Sequence, residues 1–145
     1  MKRGARRSLT AGVLSVVAVT ATVLGTTPAA AWAPGTQHWG DATWYNPSAG
    51  VGACGWRNGD NEMVAAVSPQ VYGNYPNPNN SPVCGRKMVV FSDAAGSWSK
   101  PAIVVTVVDR CAGCGPDDVD LSPAAFQKLR GLDVGRFRTT WIEAE

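Results

Sequence analysis

The hydrophobic positions of the chain fall into two regimes. From residue 11 to 24 they form one nearly continuous run, and beyond residue 40 they come in short runs broken by Gly, Pro, Asn and Asp. Short apolar runs bounded by turn residues predict an all-β domain. The predicted strands are "DATWY" (41–45), "EMVAAVS" (62–68), "CGRKMVVFS" (84–92), "AIVVTVVD" (102–109) and "FRTTWIEA" (137–144). The near-continuous Ile/Val of the fourth predicts burial on both faces, whereas the last alternates. A glycine-rich connection (46–55) and a turn-rich one (69–82) link the first three strands, and "DAAGSWSKP" joins the third to the fourth.

One helix is signalled. Ser122 suits an N-cap, Pro123 the first helical position, and Gly131 a stop. "PAAFQKLR" between them points Ala124, Phe126 and Leu129 to the core and Gln127, Lys128 and Arg130 outward. About two turns of helix are too few to stand alone, so the segment must lie against the β-structure.

The long apolar run has a basic start (Lys2, Arg3, Arg6, Arg7) and ends in small residues. That layout predicts a secretory signal over residues 1–31, with Ala29-Ala30-Ala31 as the cleavage site. A cut after Ala33 would leave Pro34 first and suits a signal peptidase less well. The run is about fourteen residues and falls short of the roughly twenty that span a bilayer. Arg6-Arg7 leaves both general and twin-arginine export open. Residues 32–39, "WAPGTQHW", lack periodicity and read as a flexible leader to a single domain over 40–145.

Cleavage at Ala31 changes the charge. The full chain has 13 Lys/Arg against 11 Asp/Glu, and four of the cations lie in the signal, so net +2 becomes −2. No basic patch remains for nucleic acid and nothing remains to hold a membrane. The expected product is a free, exported monomer. A domain of about this length gains from covalent help, and an oxidising compartment lets the four cysteines supply it as disulfides. Cys111 and Cys114 have metal-like spacing, but Cys54 and Cys84 do not, and His38 is the sole histidine. The α/β pattern of a thioredoxin-type dithiol is missing too. Neither a metal nor another cofactor is expected.

Six strings, "GDATWY", "GACGW", "VAAVSPQVYG", "VCG", "VTVVDRCAGC" and "DVDLSPAAFQKL", occur in the order and spacing of the barwin/expansin/rare lipoprotein A-like superfamily, which the chain resembles over about residues 40–142. The resemblance implies a mainly β fold, a six-stranded double-psi β-barrel with one or two short helices. It also implies disulfides from Cys54 to Cys84 and from Cys111 to Cys114. Thr43, Asp109 and Asp120 match groove positions of that family.

Related glycoside hydrolases use the second of these aspartates as general acid, and such chemistry needs a second carboxylate across the bond. By approximate alignment its place here is Asn46, whose amide takes no proton. Where many family members carry a histidine two residues before the second aspartate, this chain has Asp118. The acid/base set is incomplete, so no enzymatic activity is expected. Asp109 and Asp120 are expected to accept local hydrogen bonds, and Asp117 and Asp118 to face solvent.

Within the superfamily the resemblance points to short secreted inhibitors of papain-like cysteine proteases, with some serine proteases as further targets. Non-covalent insertion of a pre-ordered loop fits a small stapled barrel. The candidate contacts are Pro47, Ser48, Ala49, Gly50, Val51 and Gly52 in one loop, and Tyr72, Tyr75 and Pro76 in a second. An expansin-like protein that binds wall polysaccharide is the alternative; a row of tryptophans along the groove would favour it. A role as transglutaminase substrate, through Gln37, Gln70, Lys87 or Lys100, is a further expectation.

Overall fold

The computed structural model describes residues 31–145. The basic start, the apolar run and Ala29-Ala30 of the expected signal lie outside them. Six strands close into a barrel: β1 (Gln37–Trp44), β2 (Val64–Val67), β3 (Lys87–Phe91), β4 (Ala102–Arg110), β5 (Val119–Leu121) and β6 (Phe137–Glu143). Their order around the barrel is β1-β5-β2-β4-β3-β6, with β6 returning to β1. The pairs β1/β5 and β2/β4 are parallel and the other pairings antiparallel. Two short helices, α1 (Pro69–Tyr72) and α2 (Pro123–Leu129), complete it. This is the six-stranded barrel that the resemblance implies.

Inward-facing side chains fill the interior: Ala42, Ala65, Val67, Met88, Val90, Val105, Val107, Val119, Leu121 and Trp141 are all at most 1 % exposed. β4 departs from the expectation. Val105 and Val107 point in, but Val104 is 52 % exposed, because one face of a barrel strand looks outward. β5 was not among the predicted strands. Its three residues alternate, Val119 and Leu121 inward and Asp120 outward, and they gain their strand character by pairing with β1 on one side and β2 on the other.

The expected leader is a further difference. Gln37 to Trp39 are the first residues of β1 and pair with Ile142 to Thr140 of β6. Upstream of them, Trp32 stacks on Trp141 with 6.2 Å between centroids, and its Nε1–H donates to the Ala144 carbonyl at 2.8 Å. No periodicity marks these residues because their order comes from tertiary packing.

α2 starts as expected: the Ser122 hydroxyl accepts from the Ala125 N–H at 3.2 Å and Pro123 occupies the first turn. It ends one residue sooner than a glycine stop would give, with Arg130 as C-cap. Arg130 is not outward. Its guanidinium donates to the Ser92 carbonyl and lies 5.1 Å from the Phe137 ring centroid. Ala125, fully buried, joins Phe126 and Leu129 on the packed face, where Ala124 had been expected. Among the described residues no helix is long and apolar enough to cross a membrane.

Candidate functional site: a two-aspartate groove beside a stapled loop

Strand register brings four residues side by side on the outside of the barrel. Thr43 of β1 pairs with Asp120 of β5, Asp120 with Ala66 of β2, and Ala66 with Asp109 of β4. The last pairing depends on a register shift: Ala65 pairs with Val107 but Ala66 with Asp109, leaving Val108 as the extra residue of a bulge. A bulge re-aims the side chains that follow it, and here it sets Asp109 in the row. The three family groove positions are thus neighbours on one surface.

The two aspartates differ in their partners. Asp120 accepts the Thr43 hydroxyl at 2.8 Å. Burial raises its carboxyl above the ordinary aspartate range, against the lowering influence of the Thr43 bond and the Arg136 charge. Asp109 accepts the N–H of Ala53 at 2.6 Å and of Arg110 at 2.7 Å. Tyr45 lies close to both. Its hydroxyl is buried and faces Asp109 outside hydrogen-bonding geometry, without a partner among the described residues. Burial first, then the Asp109 and Asp120 charges, push that phenol far above its usual range, so it stays protonated.

A raised carboxyl has a consequence for stability with a definite sign. The folded state favours protonated Asp120, so ionising it costs stability as pH rises from the unfolded value through the higher folded value. Asp120→Asn should therefore melt higher than the parent at pH 7 and lose that advantage near pH 3, where both carry a neutral side chain. Paired calorimetric scans at the two pH values check this; an advantage that persists unchanged at low pH refutes it.

The 46–55 connection lies against this groove. Pro47–Ala49 form a short 3-10 turn whose base is tied down by Asp60, which accepts Asn46 Nδ2–H and the Ser48 N–H, both at 3.0 Å. These bonds lower the Asp60 pKa. At the other side Gly52 N–H donates to Trp56 O at 2.9 Å and Cys54 N–H to Val108 O at 3.2 Å. A Cβ on Gly52 would fall 2.6 Å from Val108 O, so only glycine lets the loop approach β4 this closely. Gly50 has extended backbone and open space around it. Ser48, Ala49, Gly50 and Val51 are exposed, but Pro47 is buried.

The loops are stapled by Cys54–Cys84, Cα–Cα 5.6 Å, while Cys111–Cys114 bridges the turn between β4 and β5 at 5.4 Å. The Tyr72 hydroxyl lies 3.6 Å from Cys54 Sγ and 3.3 Å from Cys84 Sγ, and donates to the Pro78 carbonyl at 2.7 Å. That overturns Tyr72 as a surface anchor: its side chain is fully buried and packs the staple from inside. Pro47, also buried, lies at the base of its loop rather than at the exposed tip. Tyr75 is half-buried and Pro76 exposed.

Other expectations shift as well. Asp118 does not face solvent freely; it accepts Asp41 N–H at 2.8 Å and Gly115 N–H at 3.1 Å. Asp117 engages His38 at 2.9 Å. Asn46, at the place where hydrolases carry a base, spends its amide on Asp60. The exposed tryptophans are Trp39, Trp56 and Trp98. The Trp56 carbonyl accepts the Gly52 N–H and the Trp56 ring lies against Gly85, Trp39 sits on β1 in step with Asp41 and Thr43, and Trp98 packs edge-on to Phe91. They form no row. Among the described residues no group of His, Cys, Asp and Glu is arranged to hold a metal. Tyr45 was missed in the sequence, although its place directly after β1, two residues beyond Thr43, was the available signal.

No protein-family model matches the chain. It is 36% identical over 134 residues, 92% of its own length, to the papain inhibitor of Streptomyces mobaraensis, of which it covers 90%. The solved structure of the Streptomyces papain inhibitor superposes with a TM-score of 0.67 at 34% identity, covering 77% of this chain and 97% of that one. An expansin of Clavibacter michiganensis in complex with cellohexaose gives 0.58 at 25% identity, covering 76% of this chain but 51% of that longer one. With the closed barrel and the groove row, these likenesses place the chain in the barwin/expansin/rare lipoprotein A-like superfamily of double-psi β-barrels, to which the Streptomyces papain inhibitor also belongs.

Proposed function

We propose that the protein is an exported, non-enzymatic inhibitor that blocks papain-like cysteine proteases by inserting the 48–52 loop without covalent chemistry. The likeness to a papain inhibitor along nearly the whole of both chains carries this reading. The loop adds support: its tip is exposed, its base is held by Asp60, Trp56 O and Val108 O, and Cys54 follows it directly. A loop already fixed loses less entropy on docking. Val51, 55 % exposed, supplies an apolar contact at the tip.

Titrating active papain with the disulfide-bonded protein tests the proposal, with serine proteases titrated alongside to define its range. Activity should fall to baseline near a one-to-one ratio. Gly50 is the site to perturb, because a side chain there meets nothing, whereas one at Gly52 strikes β4 and confounds fold with function. Gly50→Trp should keep the parental melting temperature and weaken inhibition at least about tenfold, the scale of one interface hot spot. Undiminished inhibition by a folded Gly50→Trp protein removes this loop from the contact.

Polysaccharide binding is the second reading, favoured by the partnerless Tyr45 hydroxyl near both carboxylates and by the exposed Trp56 after the loop. Retention on insoluble wall polysaccharide, abolished by Trp56→Ala, would establish it. As a transglutaminase substrate the protein offers the expected glutamines Gln37 and Gln70, both exposed, and a third exposed one, Gln127 of α2. Gln37 lies in β1 and lacks the mobile backbone first assumed for it. With transglutaminase and an amine probe, label should appear on Gln70 of α1 ahead of Gln37; no labelled glutamine refutes that role.

A further inference from the structure

A second concavity shares no residue with the groove or the 48–52 loop. It opens where β1 begins and β6 finishes, and holds about 190 Å³. Trp32, Val71 and Pro116 give it apolar walls. Its polar lining is His38, Asp117 and Glu143, with Gln70 beside them. The imidazole is fixed: Nδ1 is 2.9 Å from Asp117 Oδ1, Nε2 is 2.9 Å from Glu143 Oε1, and the ring stacks 3.7 Å above Trp141. Glu143 Oε2 accepts the Ala33 N–H, so both its oxygens are engaged. Asp117 differs. Its carboxylate is 43% exposed, and among the described residues no hydrogen bond reaches Oδ2.

Two carboxylates face one imidazole here, so the lining is net negative whether or not the ring carries a second proton. An apolar wall with few fixed polar groups is the usual make-up of a small-ligand site. The charge selects a cation, the Trp32 face accommodates one, and the free lone pairs of Asp117 Oδ2 call for N–H donors, which a quaternary ammonium lacks. We propose that this cleft binds a primary alkylammonium group, its hydrocarbon stem against Trp32, Val71 and Pro116 and its ammonium on Asp117, with the Gln70 side-chain carbonyl as a second acceptor.

Two indoles report on the site. Trp32 Nε1–H donates to Ala144 O and Trp141 Nε1–H to Asp117 O, both at 2.8 Å, while Trp56 and Trp98 serve as remote controls. The isotope-labelled, disulfide-bonded protein is titrated with n-butylammonium, a blocked lysine and n-butanol, following indole N–H shifts. Saturable shifts of Trp32 and Trp141 with n-butylammonium are expected, at the roughly millimolar affinity open to about five heavy atoms, with n-butanol inert. Asp117→Asn should weaken binding about tenfold through loss of a charge-assisted bond, with the control indoles unmoved to certify the fold. An equal response to the blocked lysine identifies a protein side chain as the natural source; a response to n-butylammonium alone identifies a free amine. Absence of saturation in the parent protein, equal effects of n-butanol, or an Asp117→Asn affinity equal to the parent's overturns the proposal.

Discussion

Trp141→Ala lowers the unfolding free energy by about 3–5 kcal/mol, the range for emptying a buried tryptophan site. The indole is fully buried, has Trp32 and His38 stacked against it, and donates Nε1–H to the Asp117 carbonyl. Its removal leaves a cavity and an unpaired carbonyl, and takes the support from the imidazole joining Asp117 to Glu143. Denaturant unfolding followed by circular dichroism reads the loss. Trp98→Ala is the comparison: Trp98 is 72 % exposed and touches Phe91 edge-on, so its removal should cost under about 1 kcal/mol. Equal costs for the two substitutions would mean that Trp141 is not a centre of the packing.

The paired replacement of Cys54 and Cys84 by alanine is nearly as severe, about 3–4 kcal/mol, because their bond closes a loop with a sequence separation of 30. For a domain of this length that is a fall of roughly 10–20 °C in melting temperature. The same replacement at Cys111 and Cys114, three residues apart, relieves far less chain entropy, about 2 kcal/mol at most. The bonds differ in access too. Cys54 is buried beneath the Tyr72 hydroxyl, whereas Cys111 and Cys114 flank the exposed Ala112 and Gly113. Graded reduction followed by alkylation and mass spectrometry should label Cys111 and Cys114 first, with little change in melting, and Cys54 and Cys84 only as the protein unfolds. Labelling in the reverse order contradicts this account. The proposed inhibition of papain should survive the first stage and fail at the second, since of the two disulfides only Cys54–Cys84 adjoins the loop.

The parts of this fold that were legible in the chain carry their own pattern. Five strands announced themselves by apolar runs, and α2 by Ser122-Pro123. β5 did not, because three residues cannot display a period and its pairing partners lie far off in sequence. α1 repeats the α2 signature: Ser68 accepts from the Val71 N–H at 3.3 Å and Pro69 opens the helix. One turn is too short for side-chain periodicity to add to that cap. Tyr72 was misread for a related reason. A tyrosine in a Pro/Asn-rich segment looks exposed, yet the segment folds back over the disulfide and encloses it. His38 and Asp117, distant in sequence, meet only because β1 pairs with β6 and the β4–β5 turn crosses their ends. The groove row was legible through resemblance, but the bulge that brings Asp109 into line has no local mark.

Barrel closure through β6 also sets the order in which this chain can assemble. The last strand lies between the first and the third, pairing Gln37–Ala42 residue by residue on one side and Met88–Val90 on the other. Until Phe137–Glu143 have emerged, β1 and β3 each present a bare edge, open to pairing with other chains, and Trp141 is absent from the interior. Of the six strands, the keystone is therefore the last to be made. Closure waits for Phe137–Glu143, and contacts this distant in sequence make the closing step slow. A chain lacking Phe137–Glu143 cannot close the barrel and leaves one edge each of β1 and β3 unpaired.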